Sequence, residues 1–177
     1  LETGSNVLVT GVGGGAALFA LQFAIAAGAN AYVTSGSEEK IQMAVSLGAK
    51  AGVNYKEPGW DKKLLALVGG FDIIIDSAAG TGFAALTEIA NPGARIVLFG
   101  RTAGKITQLN PSTIFWKQLS IHGSSMGNDE EFRAMIDFFG VYKLHPVVDS
   151  LFGLEDINKA FERMELGQQL GKMIITL

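Results

Sequence analysis

Short apolar runs alternate with longer amphipathic or alanine-rich stretches from one end of the chain to the other. The runs are rich in Val, Ile and Phe and read as strands: Val7–Thr10, Ala31–Ser35, Ala51–Asn54, Phe71–Asp76, Arg95–Phe99 after the turn Asn91-Pro92-Gly93, Leu119–Gly123 and Lys172–Leu177. Helices are predicted over Ala16–Ala27, Glu38–Leu47, Trp60–Val68, Phe83–Ile89 and Asp129–Phe139, and Ile157, Ala160, Phe161 and Met164 share one face of a further helix. Glu38–Leu47 carries Ile41, Val45 and Leu47 on its apolar side, with Ser37 placed to cap it and Gly48 to stop it. Asn128 and Glu131 have the spacing of a capping box. Phe71-Asp72-Ile73-Ile74-Ile75-Asp76 reads as an apolar run of the fully buried parallel-strand type. Strand–helix units in series predict an α/β fold: a doubly wound, mostly parallel sheet of about six strands with helices on both faces. One domain spans residues 1–177, without repeat or internal linker.

One junction carries most of the chemistry. The run Asn6–Thr10 enters Gly11-Val12-Gly13-Gly14-Gly15 and leaves through the helix that begins at Ala16-Ala17. Glycine permits the tight turn and lets bare backbone approach a pyrophosphate, and the helix aims its first N–H groups and positive dipole end at the anion. The pattern predicts a Rossmann-type dinucleotide site. A Walker-type phosphate loop is excluded, because no Gly-Lys-Ser/Thr follows.

The tip of the second strand decides which dinucleotide. A site for NAD places Asp or Glu there to accept from the ribose hydroxyls. This chain has Thr34-Ser35-Gly36-Ser37, and its first carboxylates, Glu38 and Glu39, lie within the next helix. Opposite charges 4 Å apart gain from about 1 kcal/mol in water to about 4 kcal/mol near a protein surface. Hydroxyls with Lys40 one helical turn onward therefore favour the 2′-phosphate of NADP(H).

Composition narrows the alternatives. The net charge of −3 with interspersed signs gives no basic stripe for nucleic acid. There is no cysteine and there are only two histidines, His122 and His145, far apart and read as structural, which argues against a metal site. No apolar run has membrane-spanning length, so the expectation is a cytoplasmic protein with no membrane partner. The chain opens on Leu1 and enters a strand almost at once, which predicts a segment of a longer protein. Asp72 and Asp76 flank a buried strand, and Asp76 is read equally as a turn residue or a ligand contact. Ser77 follows at the carboxyl end where ligands bind in open sheets, and Phe99-Gly100 ends another strand, with Gly100 able to let a ring lie on backbone. Trp60 and Trp116 are expected to pack. No nucleophile–base–acid set is present, and no Tyr is followed four positions on by Lys, so no catalytic residue is assigned. Two other readings stay open: a nucleotide-sensing or structural module, and a methyltransferase domain, against which the missing acid at the strand tip argues.

Residues Asn6–Ala29, with Gly13-Gly14-Gly15-Ala16-Ala17 and Leu21-Gln22-Phe23-Ala24, resemble the opening of the cofactor domain of medium-chain dehydrogenases/reductases, in the quinone oxidoreductase and zinc-type alcohol dehydrogenase-like branch. Ser37–Lys40, Leu47-Gly48-Ala49, Val53-Asn54-Tyr55, Phe71–Asp76, Pro92–Val97, Ile121–Gly127 and Gly171–Ile174 follow in matching order, so the resemblance spans the chain. It implies an NADP-linked oxidoreductase passing hydride to or from a carbonyl, alcohol, quinone or enone. Gly13, Gly14, Gly15, Ala16 and Ala17 would hold the pyrophosphate; Ser35, Gly36, Ser37 and Lys40 the adenosine phosphate, with Tyr55 beside it; Phe99, Gly100, Ser124, Ser125 and Met126 would lie by the nicotinamide. Relatives end the loop with Gly-x-Gly, and Ala17 stands in place of that last glycine. The resemblance further implies a missing N-terminal catalytic domain, a last strand (172–177) that belongs with it and lacks neighbours here, and a homodimer through the Leu119–Gly123 edge.

Overall fold

The computed structural model describes residues 1–177. Its elements follow the predicted alternation: β1 (Asn6–Val9), α1 (Gly15–Ala26), β2 (Asn30–Ser35), α2 (Glu38–Ser46), β3 (Ala51–Asn54), α3 (Trp60–Val68), β4 (Phe71–Asp76), α4 (Phe83–Ile89), β5 (Ala90–Leu98), α5 (Pro111–Trp116), β6 (Ser120–Gly123), α6 (Asp129–Val141), β7 (Val148–Gly153), α7 (Ile157–Glu165) and β8 (Lys172–Thr176). Six strands form one sheet in the order β3-β2-β1-β4-β5-β6, every neighbouring pair parallel. This is the doubly wound Rossmann-type order, with its topological switch point between β1 and β4.

Alternation along the central strands supplies both faces. Val7 and Val9 join one core with Leu18, Leu21 and Ala24 of α1, while Leu8 points the other way, to Phe71, Ile74, Leu64, Phe83 and Leu86 beneath α3 and α4. A strand covered on both sides needs apolar residues at both alternations, which is why Val7–Val9 of β1 and Ile73–Ile75 of β4 are continuous apolar runs. α1 is apolar around most of its circumference for a related reason. Its sheet side is buried, and Phe19 and Phe23 meet Phe139 and Phe138 of α6 at ring-centroid distances of 6.0 and 5.6 Å.

Local signals hold where they are local. Ser37 Oγ accepts from the Lys40 N–H at 3.5 Å, Gly48 ends α2 at φ 110°, and Asn128 and Glu131 form the reciprocal capping box. Several expectations are corrected. In α2 the inward positions are Ile41 and Ala44, and Val45 is exposed. Trp116 does not pack into the core: it is 80% exposed, with its ring 5.3 Å from that of neighbouring Phe115, whereas Trp60 lies against the α3–α4 core. The Asn91-Pro92-Gly93 turn is absorbed into an irregular start of β5. α5 was not foreseen, although Pro111 at its first turn and the Asn110 side chain, accepting from Ser112 N–H at 3.0 Å, form a sound N-terminus. β7 was not foreseen either. It pairs in parallel with β8 as a separate two-stranded sheet, so the closing strand has a neighbour within this chain. No helix is long and apolar enough to cross a membrane.

Candidate functional site

Because all six strands run the same way, their carboxyl ends share one edge, and the glycine loop and the β2 tip meet there. Val12 N–H donates to Thr34 O at 2.8 Å, and Gly11 N–H reaches Thr34 Oγ1 at 3.3 Å. Across the switch point Ser77 Oγ donates to Thr10 O at 3.1 Å, and Ser77 N–H donates to Thr10 Oγ1 at 3.1 Å. Gly11, at φ 66°, leaves room for Ser77: a side-chain carbon there would stand 2.6 Å from Ser77 Oγ. Asp76 is resolved as a turn residue. Its buried carboxylate accepts from Thr10 Oγ1 at 2.6 Å and Ala79 N–H at 2.8 Å. Asp72 is likewise structural, bound to Asn6 N–H and the Asn91 amide.

A cleft of about 650 Å³ opens at this edge. Gly13 and Gly14 line one side; Ser35, Gly36, Ser37 and Lys40 line the β2 tip; Tyr55 and Lys56 come from the end of β3. Gly15, Ala16 and Ala17 sit in the first turn of α1, ahead of its first intrahelical bond from Leu18 N–H to Gly14 O at 3.1 Å, so their N–H groups are the ones a helix leaves without helical partners. Ala16 is exposed, while the Ala17 methyl lies in the α1–sheet core, where a small residue is needed. Glycine at 13 and 15 makes room for lysine stems. A carbon added at Gly13 would meet Lys40 Cδ at 2.5 Å, and one at Gly15 would meet Lys172 Cε at 2.5 Å.

Lys40 is the centre of the cleft's charge. Its ammonium donates to Gly167 O at 2.6 Å, and burial pushes its pKa below the usual lysine value, partly opposed by Asp149. Ser35 contributes from beneath, only 3% exposed, and Tyr55 is half exposed at the rim. Ser77, Phe99, Gly100, Ser124, Ser125 and Met126 lie outside this cleft, along the same edge at the ends of β4, β5 and β6. Phe99 and Met126 are exposed there, and Ser124 N–H donates to Leu98 O at 3.0 Å. Glycine is required at position 100, where an added side-chain carbon would run into the Ser77 carbonyl. His122 and His145 are both exposed and apart.

The sequence did not point to Lys56, Arg163, Leu166, Gly167 or Gln168, which also line the cleft, nor to its carboxylate, Glu39, as a lining group. Lys56 was within reach of reasoning, since it follows Tyr55 and the register places Asn54 beside Ser35. The α7 residues were not, because nothing local ties that helix to the β2 tip.

Over residues 15–140 the chain matches the family described as zinc-binding dehydrogenase. The zinc-type alcohol dehydrogenase-like protein YogA of Leptosphaeria maculans is 36% identical over 186 residues, covering 99% of this chain and 52% of that protein. The quinone oxidoreductase of Homo sapiens is 32% identical over 186 residues, covering 100% of this chain and 56% of the relative. Among solved structures, an NAD-dependent alcohol dehydrogenase superimposes with a TM-score of 0.92 at 32% identity, covering 99% of this chain and 52% of that one. The chain thus spans about half the length of the relatives it matches. The donor set for zinc is not found within it: it has no cysteine, and no group of three His, Asp or Glu could hold a metal ion. With a parallel sheet in 3-2-1-4-5-6 order and this match along its length, the chain belongs to the zinc-binding dehydrogenases of the medium-chain dehydrogenase/reductase superfamily and corresponds to their cofactor-binding domain.

Proposed function

We propose that this chain is the NADP(H)-binding domain of an oxidoreductase whose substrate-holding domain lies outside it. The observation that carries the reading is the convergence of the glycine loop, the hydroxyl-bearing β2 tip and Lys40 on one cleft of about 650 Å³. The cleft fits a dinucleotide chemically. Bare loop backbone and the first turn of α1 suit a pyrophosphate, and the β2 tip offers Ser35, Gly36 and Ser37 with no carboxylate at the strand end.

In this reading the N–H groups of Gly15, Ala16 and Ala17, together with Gly13 and Gly14, position the pyrophosphate. Ser37, Lys40 and Tyr55 hold the adenosine phosphate, and Ser35 supports the tip from below. Ser77, Phe99 and the Ser124–Met126 segment give the nicotinamide a surface along the β4–β6 ends. When bound, the cofactor supplies the hydride chemistry, with a carbonyl, alcohol, quinone or enone as the parent protein's substrate class. The residues of this domain bind and orient. A homodimer would form through β6, which is an edge strand of the large sheet.

Calorimetric titration of the chain with NADPH and with NADH tests the reading, and tighter binding of NADPH is expected. Lys40→Ala removes one charge-assisted contact of about 1.5–3 kcal/mol, so it should weaken NADPH by about tenfold or more and NADH much less. Equal losses would remove Lys40 from the phosphate site, and equal affinities in the unaltered chain would overturn the preference for NADP.

A further inference from the structure

The far wall of the cleft is not part of the six-stranded sheet. It comes from the end of α7 and the loop before β8, and its charged member is Arg163. The Arg163 guanidinium is clamped along one edge: Nε donates to Asp149 Oδ2 at 2.8 Å and Nη2 to Asp149 Oδ1 at 2.9 Å. The Asp149 side chain is only 5% exposed and also accepts from Ser150 Oγ at 2.6 Å and Leu170 N–H at 2.8 Å. Two donors on each carboxylate oxygen fix that group, and the planar pairing fixes the guanidinium with it.

A guanidinium carries about five N–H donors. Two are engaged by Asp149, yet the Arg163 side chain remains 36% exposed and lines the cleft with Lys40 and Lys56. Its other edge is thus presented to the cleft by an arginine whose rotamer is already fixed, so little further ordering is needed when an anion arrives. A planar fork matches two oxygens of a phosphate monoester, which a lysine ammonium meets only as a point charge. Lys40 lies close enough to feel both Asp149 and Arg163, and Glu39 is the single carboxylate lining the cleft.

We propose that Arg163 is a specificity-determining residue of this cleft, a preformed donor fork that takes the 2′-phosphate of the adenosine ribose from the side opposite the β2 tip. The proposal rests on the NADP(H) reading above and extends it: selectivity is shared between the sheet and the C-terminal segment. That segment is tied to the same point, since Lys40 Nζ bonds Gly167 O at 2.6 Å and Gly171 N–H bonds Gly13 O at 2.9 Å.

The test is calorimetric titration with two probes, 2′,5′-ADP and 5′-AMP, which differ only in the 2′-phosphate. The unaltered chain should bind 2′,5′-ADP more tightly. Arg163→Ala should weaken 2′,5′-ADP by about tenfold or more and change 5′-AMP by less than about twofold. Because that variant strips Asp149 of its partner, the paired exchange Asp149→Asn with Arg163→Gln, which removes the guanidinium without leaving a buried carboxylate unpaired, should show the same selective loss in a chain that still melts cooperatively. Equal weakening of both probes in the paired variant, or no weakening of either, overturns the role of Arg163. A preference that Lys40→Ala abolishes and both Arg163 variants leave intact overturns this proposal alone. No preference in the unaltered chain overturns the NADP reading and Arg163 with it.

Discussion

Between Asn6 and Leu119 the chain buries both faces of a sheet, whereas from Ser120 to Leu177 only Ala160 and Gly171 are buried. In the first region Leu8, Phe71, Ile74 and Phe83 are fully enclosed. In the second, Leu151, Phe161, Met164 and Leu166 stand at least half exposed, and directional contacts hold the elements instead. These are the Asp149–Arg163 pair, Lys40 on Gly167, Gly171 on Gly13, and the α6 aromatics on α1. Apolar burial is non-directional and nearly indifferent to pH, while paired charges depend on both geometry and protonation. The cleft has one wall of each kind.

The sharpest way to break this contrast is truncation of one aromatic side chain on each side. Phe71 is 0% exposed and meets Tyr32 edge-on at 5.6 Å, so Phe71→Ala should cost about 3–5 kcal/mol in urea unfolding. Phe161 is 55% exposed, so Phe161→Ala should stay within about 0.5 kcal/mol. Comparable losses at the two positions would mean that the C-terminal region has a core of its own and the contrast is false.

The same division explains what could be read in advance. In the sheet region the signals are local and mutually consistent: the apolar runs of β1 and β4, the Ser37 cap, the Gly48 stop and the glycine turn all lie within a few residues of what they determine. Val45 misled because Ala44, too small to stand out in a hydrophobic pattern, takes the inward place in α2. Trp116 misled because large aromatic residues usually pack, and the side of α5 that carries it faces solvent. β7 was missed because Val148-Asp149-Ser150-Leu151-Phe152-Gly153 lacks clean alternation, and its partner β8 is remote in sequence. Arg163 was missed for the same reason: its relation to Lys40 exists only once the C-terminal segment has folded back.

A smaller, pH-dependent effect sharpens the comparison. The hydrogen bond from Arg163 is the leading cause that holds the Asp149 carboxyl well below the ordinary carboxylate range, whose reference value is 3.8. A carboxylate with a depressed folded pKa stabilises the fold above its unfolded pKa and loses that contribution as pH falls through the folded value. Hydrogen-exchange protection of β7 and β8 should therefore start to fall below pH 3.8, by up to about tenfold per pH unit, with Phe71–Asp76 amides less affected. Parallel loss in both regions would show that the C-terminal segment does not open separately.

A local effect is expected at α6, which bridges the two regions. Asn128 Oδ1 accepts from Glu131 N–H at 2.8 Å, and Glu131 Oε2 accepts from Asn128 N–H at 2.8 Å. No residue of α6 is fully buried, so the cap is a large share of what holds its first turn. Asn128→Ala should cost about 1 kcal/mol, seen as faster exchange in α6 with β1 and β4 unchanged. The other end of α6 sets Phe138 and Phe139 against Phe23 and Phe19, on the helix whose first turn follows the glycine loop. If that aromatic contact only covers α1, Asn128→Ala leaves nucleotide affinity unchanged. If it also holds the angle of α1 against the loop, affinity for NADPH and NADH falls together, because the pyrophosphate end they share would be displaced.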